Sequence, residues 1–75
     1  MEKLPILSGN DVIRVLSKAG FLSVRQRGSH VIMVKLIDGK KAAVVVPIHK
    51  EIDRGTLIEI IRQAKITRET FISLC

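Results

Sequence analysis

Residues 30–46 constrain the fold more than any other stretch, because they predict two strands joined by a tight turn. Residues 30–37 and 41–46 are rich in β-branched side chains, which favour strands. Between them, Asp38 and Gly39 form an Asp-Gly pair, which tolerates the positive φ angles of a two-residue hairpin. Pro47 ends the second strand, since proline has no N–H to donate to a neighbouring strand.

A helix and a further strand precede this hairpin. Ser8 with Asp11 three residues later is typical of a helix start, and apolar residues at helical spacing follow. Gly20 suits the left-handed position after a helix, so the pattern predicts a helix over residues 9–19. Residues 21–26 alternate between two faces and predict a short strand that ends before a Gly-Ser pair.

Two more helices follow the hairpin. Asp53 is suited to cap the first, whose apolar stripe comprises Leu57, Ile60, Ile61 and Ala64. Thr67 is suited to cap the second, a short C-terminal helix. The order α-β-β-β-α-α predicts an α+β fold with a three-stranded antiparallel sheet. The length of 75 residues predicts one domain, which spans residues 1–75.

Both faces of the two hairpin strands are apolar. In the first of them, Val31 and Met33 lie on one face and Ile32 and Val34 on the other. A three-stranded sheet with helices on one side is expected to present a polar face to water. Two long helices cannot easily cover two faces, so we expect the second face to be buried against a partner protein or in a homodimer.

The charge is strongly positive and is concentrated in the middle of the chain. Thirteen Lys and Arg oppose seven Asp and Glu, which gives a net charge of +6. This excess indicates a polyanionic partner, with nucleic acid first and an acidic protein second. A solvated surface that serves solubility is the alternative. The chain has no Trp and no Tyr, which argues against a protein that stacks the bases of single-stranded RNA.

Several kinds of site and location are disfavoured. Cys75 is the one cysteine, and no metal-binding or phosphate-cradling motif occurs, so we expect no metal and no cofactor. The N-terminus has no apolar signal core, and no apolar run approaches the ~20 residues of a membrane span. We therefore expect a cytoplasmic protein that does not associate with a membrane.

The two histidines, His30 and His49, are the candidates for chemistry, and both lie in the cationic stretch. Histidine is the side chain best suited to transfer protons near neutral pH. In RNA the 2′-hydroxyl can act as the nucleophile, so a ribonuclease needs proton transfer and cations that stabilise negative charge at the phosphate. From spacing alone, surface histidines without a task remain the alternative.

The chain resembles the HicA family of bacterial and archaeal mRNA interferase toxins. Three separated pieces occur in the family's order: G-S-H at 28–30, V-P-x-H at 46–49 and G-T-L-x-x-I-x-x-Q-A at 55–64. The resemblance extends over residues 8–71. It implies a fold similar to the double-stranded RNA-binding domain, α-β-β-β-α, with a short extra C-terminal helix here. It also implies an endoribonuclease that cleaves mRNA without a metal and arrests growth, and a cognate HicB-type antitoxin that covers the active face.

The resemblance makes His30 the catalytic residue, as general acid or base. We expect Gly28 to supply the turn and Ser29 to donate a hydrogen bond beside His30, and His49 carries no fixed role. The RNA-binding set is then Arg25, Arg27, Gly28, Ser29, Lys40, Lys41, His49 and Lys50. Two alternatives remain: a non-catalytic double-stranded RNA-binding module, and a protein-interaction domain whose charge serves only solubility.

Overall fold

The computed structural model describes residues 3–75 and contains six elements in the predicted order. The α+β class and the three-stranded antiparallel sheet are confirmed, and the order is consistent with a double-stranded-RNA-binding-domain-like fold. The elements are α1 (Gly9–Lys18), β1 (Leu22–Arg27), β2 (His30–Ile37), β3 (Lys40–Pro47), α2 (Arg54–Ala64) and α3 (Arg68–Ser73).

The predicted helix caps are all present. Ser8 and Asp11 form a reciprocal pair, in which each side chain accepts the other's backbone N–H at 3.1 and 3.0 Å. Two groups of Ser8 lower the pKa of the Asp11 carboxyl: the backbone N–H has the larger effect and the hydroxyl the smaller one. Asp53 accepts the hydroxyl and the backbone N–H of Thr56, which lower the pKa of that carboxyl in the same way. Thr67 accepts the backbone N–H of Thr70 at the start of α3.

The sheet has the order β1-β2-β3, so β2 pairs with both neighbours. The turn between β2 and β3 is the predicted one, with φ angles of 51° at Asp38 and 76° at Gly39. Strand β1 departs from the strict alternation that its sequence predicts. A bulge between Ser23 and Arg25 shifts the pairing, so that Leu22 lies opposite Val34 while Arg25 lies opposite Ile32.

The two faces of the sheet differ in what covers them. The helices pack on the face that carries Val31, Met33 and Val44, and these side chains join one aliphatic core that includes Phe21 and Phe71. On the other face, the part of the chain that the structure describes leaves apolar side chains open to solvent. We call it the outer face, and its apolar residues are Leu22, Ile32, Val34, Leu36, Ala43 and Val45.

The structure of this single chain therefore confirms the prediction that the second face of the sheet is apolar. Leu36 is 73% exposed and Leu22 is 71% exposed. Contiguous exposed apolar surface of this kind marks an interaction site in a folded protein. The occupant of this face, a partner protein or a second copy, stays a prediction.

The segment after β3 is held between the β1–β2 turn and the start of α1. The Ile48 N–H donates to the Ser29 carbonyl at 2.6 Å, and the Gly9 N–H donates to the His49 carbonyl at 2.8 Å. Gly9 has no room for a side chain, because an added Cβ would lie 2.2 Å from the Pro47 carbonyl oxygen. We call these three segments, with their two hydrogen bonds, the backbone junction.

We predict that Gly9→Ala lowers the free energy of unfolding by about 1–3 kcal/mol, because the added methyl group forces the backbone junction apart. Urea denaturation monitored by circular dichroism measures the change. Gly55→Ala is the matched control. Its Cβ would meet the Asp53 carboxylate at 3.4 Å, and replacing a helical glycine by alanine gains about 0.5–1 kcal/mol. Equal stability of the two variants would contradict the close packing at Gly9.

Candidate functional site

The turn between β1 and β2 presents a bare backbone to solvent. Gly28 adopts a φ of 58°, which glycine accommodates without strain, and a Cβ at this position would meet nothing within 4 Å. The Gln26 side-chain amide donates to the Gly28 carbonyl at 3.2 Å. The turn therefore has a defined conformation, and a ligand can approach its main chain closely.

His30 is the first residue of β2 and is exposed. Its Nδ1 lies 3.5 Å from the Ser29 hydroxyl oxygen, a long contact at the limit of a hydrogen bond. Arg27 is the direct partner of His30 in the sheet, and Arg25 faces Ile32, the next outer-face residue of β2. Because residues opposite each other share a face, both arginines and His30 lie at one end of the outer face.

The cations at this end are free of acidic partners in residues 3–75. The two ion pairs in that range join Asp11 to Arg14 and Glu59 to Arg62, both on helices. Arg25 and Arg27 are exposed and belong to neither. Exposed guanidinium groups without a carboxylate partner are well suited to bind phosphate, which they contact with two parallel hydrogen bonds.

His49 lies beside the same turn. His30 pairs with Pro47 in the sheet, and the bond from Ile48 to Ser29 continues that pairing by one residue. His49 is the next residue along the chain. Its carbonyl oxygen is held by Gly9, and its side chain is exposed, as is that of Lys50. The structure therefore brings the G-S-H and V-P-x-H pieces together at the backbone junction.

The predicted RNA-binding set divides into two groups. Arg25, Arg27 and the segment ending at Lys50 lie at the His30 end of the sheet. Lys40 and Lys41 flank the Asp38-Gly39 turn at the opposite end, where they pair with Ile37 and Leu36. His30 and Leu36 are six positions apart along β2, which corresponds to about 20 Å. The two lysines therefore cannot act at the same phosphate as His30.

The far end of the outer face carries an apolar groove of about 350 Å³. Its lining residues are Gly20, Leu22, Val34, Lys35, Leu36 and Lys41. The Lys35 ammonium donates to the Ala19 carbonyl at 2.7 Å and lies 5.9 Å from the centre of the Phe21 ring. The groove thus combines an aliphatic floor with lysine side chains, about 20 Å from His30.

Other sources of chemistry are few in the described part of the chain. Within residues 3–75, no three His, Cys, Asp or Glu side chains are grouped so that they could hold a metal ion. Burial raises the pKa of the Cys75 thiol, so the thiol is not activated as a nucleophile. None of the helices in residues 3–75 is long and apolar enough to cross a membrane.

The residues of this candidate site were named from the sequence, but two features that arrange them were missed. The bulge in β1 places Arg25 and Leu22 on one face, and simple alternation had assigned them to opposite faces. The close approach of Gly9 to residues 47–48 is the second feature. The Ser23–Arg25 stretch has no glycine or proline that would signal a bulge, and Gly9 reads as an ordinary helix-start residue.

Comparison with known families gives one match. The model of a family described as the HicA toxin of bacterial toxin-antitoxin systems matches residues 9–66, which is more than three quarters of the chain. The matched region begins with α1, includes all three strands and ends after α2. It therefore contains both histidines and the whole backbone junction. No curated protein matches the chain at a significant level.

Proposed function

Because the chain belongs to the HicA family of toxins from bacterial toxin-antitoxin systems, we propose that it is an endoribonuclease. It cleaves mRNA in the cytoplasm without a metal ion, and this cleavage arrests growth. One observation carries the proposal: His30 is exposed at the end of a strand, directly opposite Arg27, where Arg25 adds a second cation, and neither arginine has an acidic partner in residues 3–75. A proton-transfer group beside phosphate-binding cations supports metal-independent RNA cleavage.

The reaction uses the substrate's own nucleophile. The 2′-hydroxyl oxygen attacks the adjacent phosphorus, and His30 acts as general base or general acid in this step. Negative charge builds up on the phosphate oxygens in the transition state, and Arg25 and Arg27 stabilise it. Lys50 binds a neighbouring phosphate at the same end. Lys41, further along the outer face, and Lys40 next to it in β3 bind RNA backbone about 20 Å away.

The turn residues support this chemistry. The bare Gly28 turn allows the RNA backbone to approach the main chain. The Ser29 hydroxyl, 3.5 Å from Nδ1 of His30, orients the imidazole once the substrate is bound. Catalytic hydrogen bonds are often long in a free enzyme and shorten in the complex with substrate.

A non-catalytic double-stranded RNA-binding module is the second candidate function. It is favoured by the absence of Trp and Tyr, since a protein without these rings recognises RNA through shape and phosphates. In that case His30 is one more phosphate contact. The two functions use the same surface, so a cleavage assay separates them and a binding assay does not.

Membership of the family implies an antitoxin partner, and we propose that this antitoxin binds the outer face. The face has an apolar centre, and its surrounding charges are cationic: Arg25 and Arg27 at one end, Lys41 at the other. A partner with an apolar surface rimmed by carboxylates complements this pattern. A homodimer fits less well, because two copies with a net charge of +6 would bring like charges together.

We predict that His30→Ala abolishes RNA cleavage and preserves the fold, because the side chain is exposed and makes no packing contact in the core. The assay compares the variant with wild type on one RNA, and on the same sequence as DNA, in EDTA. We expect wild type to cut the RNA and leave the DNA intact. Loss of a positioned acid or base lowers the rate by roughly 10²–10⁴-fold.

Thermal melting of the variant checks that it is folded. Intact RNA with folded wild type, alongside strong salt-dependent binding, would replace the ribonuclease by the non-catalytic module. Cleavage that stops in EDTA and returns with magnesium would refute the metal-free mechanism.

We predict that Leu36→Glu weakens antitoxin binding by at least about tenfold, because it places a carboxylate in the apolar groove opposite an acidic partner. RNA cleavage is expected to continue, since Leu36 lies about 20 Å from His30. Isothermal titration calorimetry with the cognate antitoxin measures the affinity. Ile6→Glu is the matched control, because Ile6 is 78% exposed and lies outside the outer face. Equal losses in both variants would exclude the outer face as the specific docking site.

A further inference from the structure

We propose that His49 is the second proton-transfer group of the cleavage site and acts together with His30. This inference rests on the proposed ribonuclease function and deepens it. The two histidines are the only two in the chain, they are separated by 18 intervening residues, and the fold brings both to one turn. The family match covers His49 without giving its side chain a role.

The position of His49 is fixed by its main chain. The Ile48 N–H binds Ser29, which is adjacent to His30, and the His49 carbonyl binds the Gly9 N–H. The turn next to this segment is open, because a Cβ at Gly28 would meet nothing within 4 Å. The imidazole of His49 is exposed, so it contributes little to the core. The backbone junction therefore fixes the main chain of His49 one residue after the hydrogen bond to the G-S-H segment, and the imidazole is exposed there.

The chemistry of RNA cleavage needs two proton transfers. A general base takes the proton of the 2′-hydroxyl while its oxygen forms a bond to phosphorus. The bond from phosphorus to the 5′-oxygen breaks, and a general acid gives that oxygen a proton. The products are a 2′,3′-cyclic phosphate and a free 5′-hydroxyl. The base ends protonated and the acid ends neutral, and exchange with water resets both.

One imidazole cannot easily serve both sides of the phosphorus atom, because the attacking and leaving oxygens lie roughly in line across it. Two imidazoles on neighbouring segments can do so. His30, at the start of β2, and His49, two residues after the end of β3, lie on segments that the hydrogen bond from Ile48 to Ser29 joins. The arginines of β1 remain available for the phosphate oxygens.

The test compares two substrates that differ in the leaving group. One is an ordinary RNA. The other has the same sequence with sulfur in place of the 5′-oxygen at the cleaved bond, so that the leaving thiolate needs no proton. Wild type, His30→Ala and His49→Ala are assayed on both, and RNA affinity is measured for each. Glu51→Ala is the matched control in the same segment, because Glu51 is exposed and outside the proposed site.

We expect each histidine variant to cleave ordinary RNA roughly 10²–10⁴-fold more slowly, with little change in affinity. We expect the sulfur substrate to restore cleavage to one of the two variants, which is then the one that lacks the general acid. Retained RNA affinity and an unchanged melting temperature show that His49→Ala is folded. His49→Gln, which keeps a polar side chain but transfers no proton, is expected to be as slow as His49→Ala.

Four results would overturn the proposal. If His49→Ala cleaves at the wild-type rate, His49 is dispensable. If the variant loses activity only through weaker RNA binding, His49 is a phosphate contact. If the sulfur substrate restores cleavage to both variants, or to neither, the two histidines do not divide the roles of general acid and general base. In each of these cases, loss of RNA cleavage in His30→Ala would still support the proposed ribonuclease function. Wild type that cleaves neither substrate would instead end the ribonuclease proposal itself.

Discussion

Two main-chain hydrogen bonds hold together the part of the molecule on which the candidate site depends. One joins Ile48 to Ser29, and the other joins Gly9 to His49. They tie the start of α1, the β1–β2 turn and the end of β3 into the backbone junction. Because these bonds use main-chain atoms, the side chains of Ser29, His30 and His49 remain free for a substrate. The main chain of the candidate site is thereby fixed by hydrogen bonds, and the small core of the domain does not have to hold it in place.

The sheet both contributes to the core and presents the candidate site, because successive side chains of a strand lie on opposite faces. Along β2, Val31 and Met33 enter the core while His30, Ile32 and Leu36 lie on the outer face. The cationic end that carries His30 and the apolar groove thus occupy one continuous surface. An antitoxin anchored in the groove extends over the His30 end if it spans about 20 Å along the strand. Inhibition by coverage then requires no change in the conformation of the site.

The local elements could be predicted from the sequence because local chemistry determines them. The Asp38-Gly39 turn, the Ser8–Asp11 capping pair and the apolar stripe of α2 all depend on residues within a few positions of one another. The pairing of the two histidine segments could not be derived this way. It depends on hydrogen bonds between residues 9 and 49 and between residues 29 and 48, and these separations carry no periodic signal. The family resemblance linked these pieces by their order, and the structure supplies the physical connection.

The bulge in β1 is the other feature that local reasoning missed, and it has a second consequence. Strand β1 is an edge of the sheet in the described residues, and an exposed edge invites pairing with another chain. Bulges and charged side chains are two devices that prevent such pairing, and β1 has both, in its irregular Ser23–Arg25 stretch and in its arginines. At the opposite edge, the Gln63 side chain accepts the Val45 N–H at 3.4 Å. The arginines proposed to bind RNA therefore also protect the free toxin, whose outer face is apolar, from associating with itself through β1.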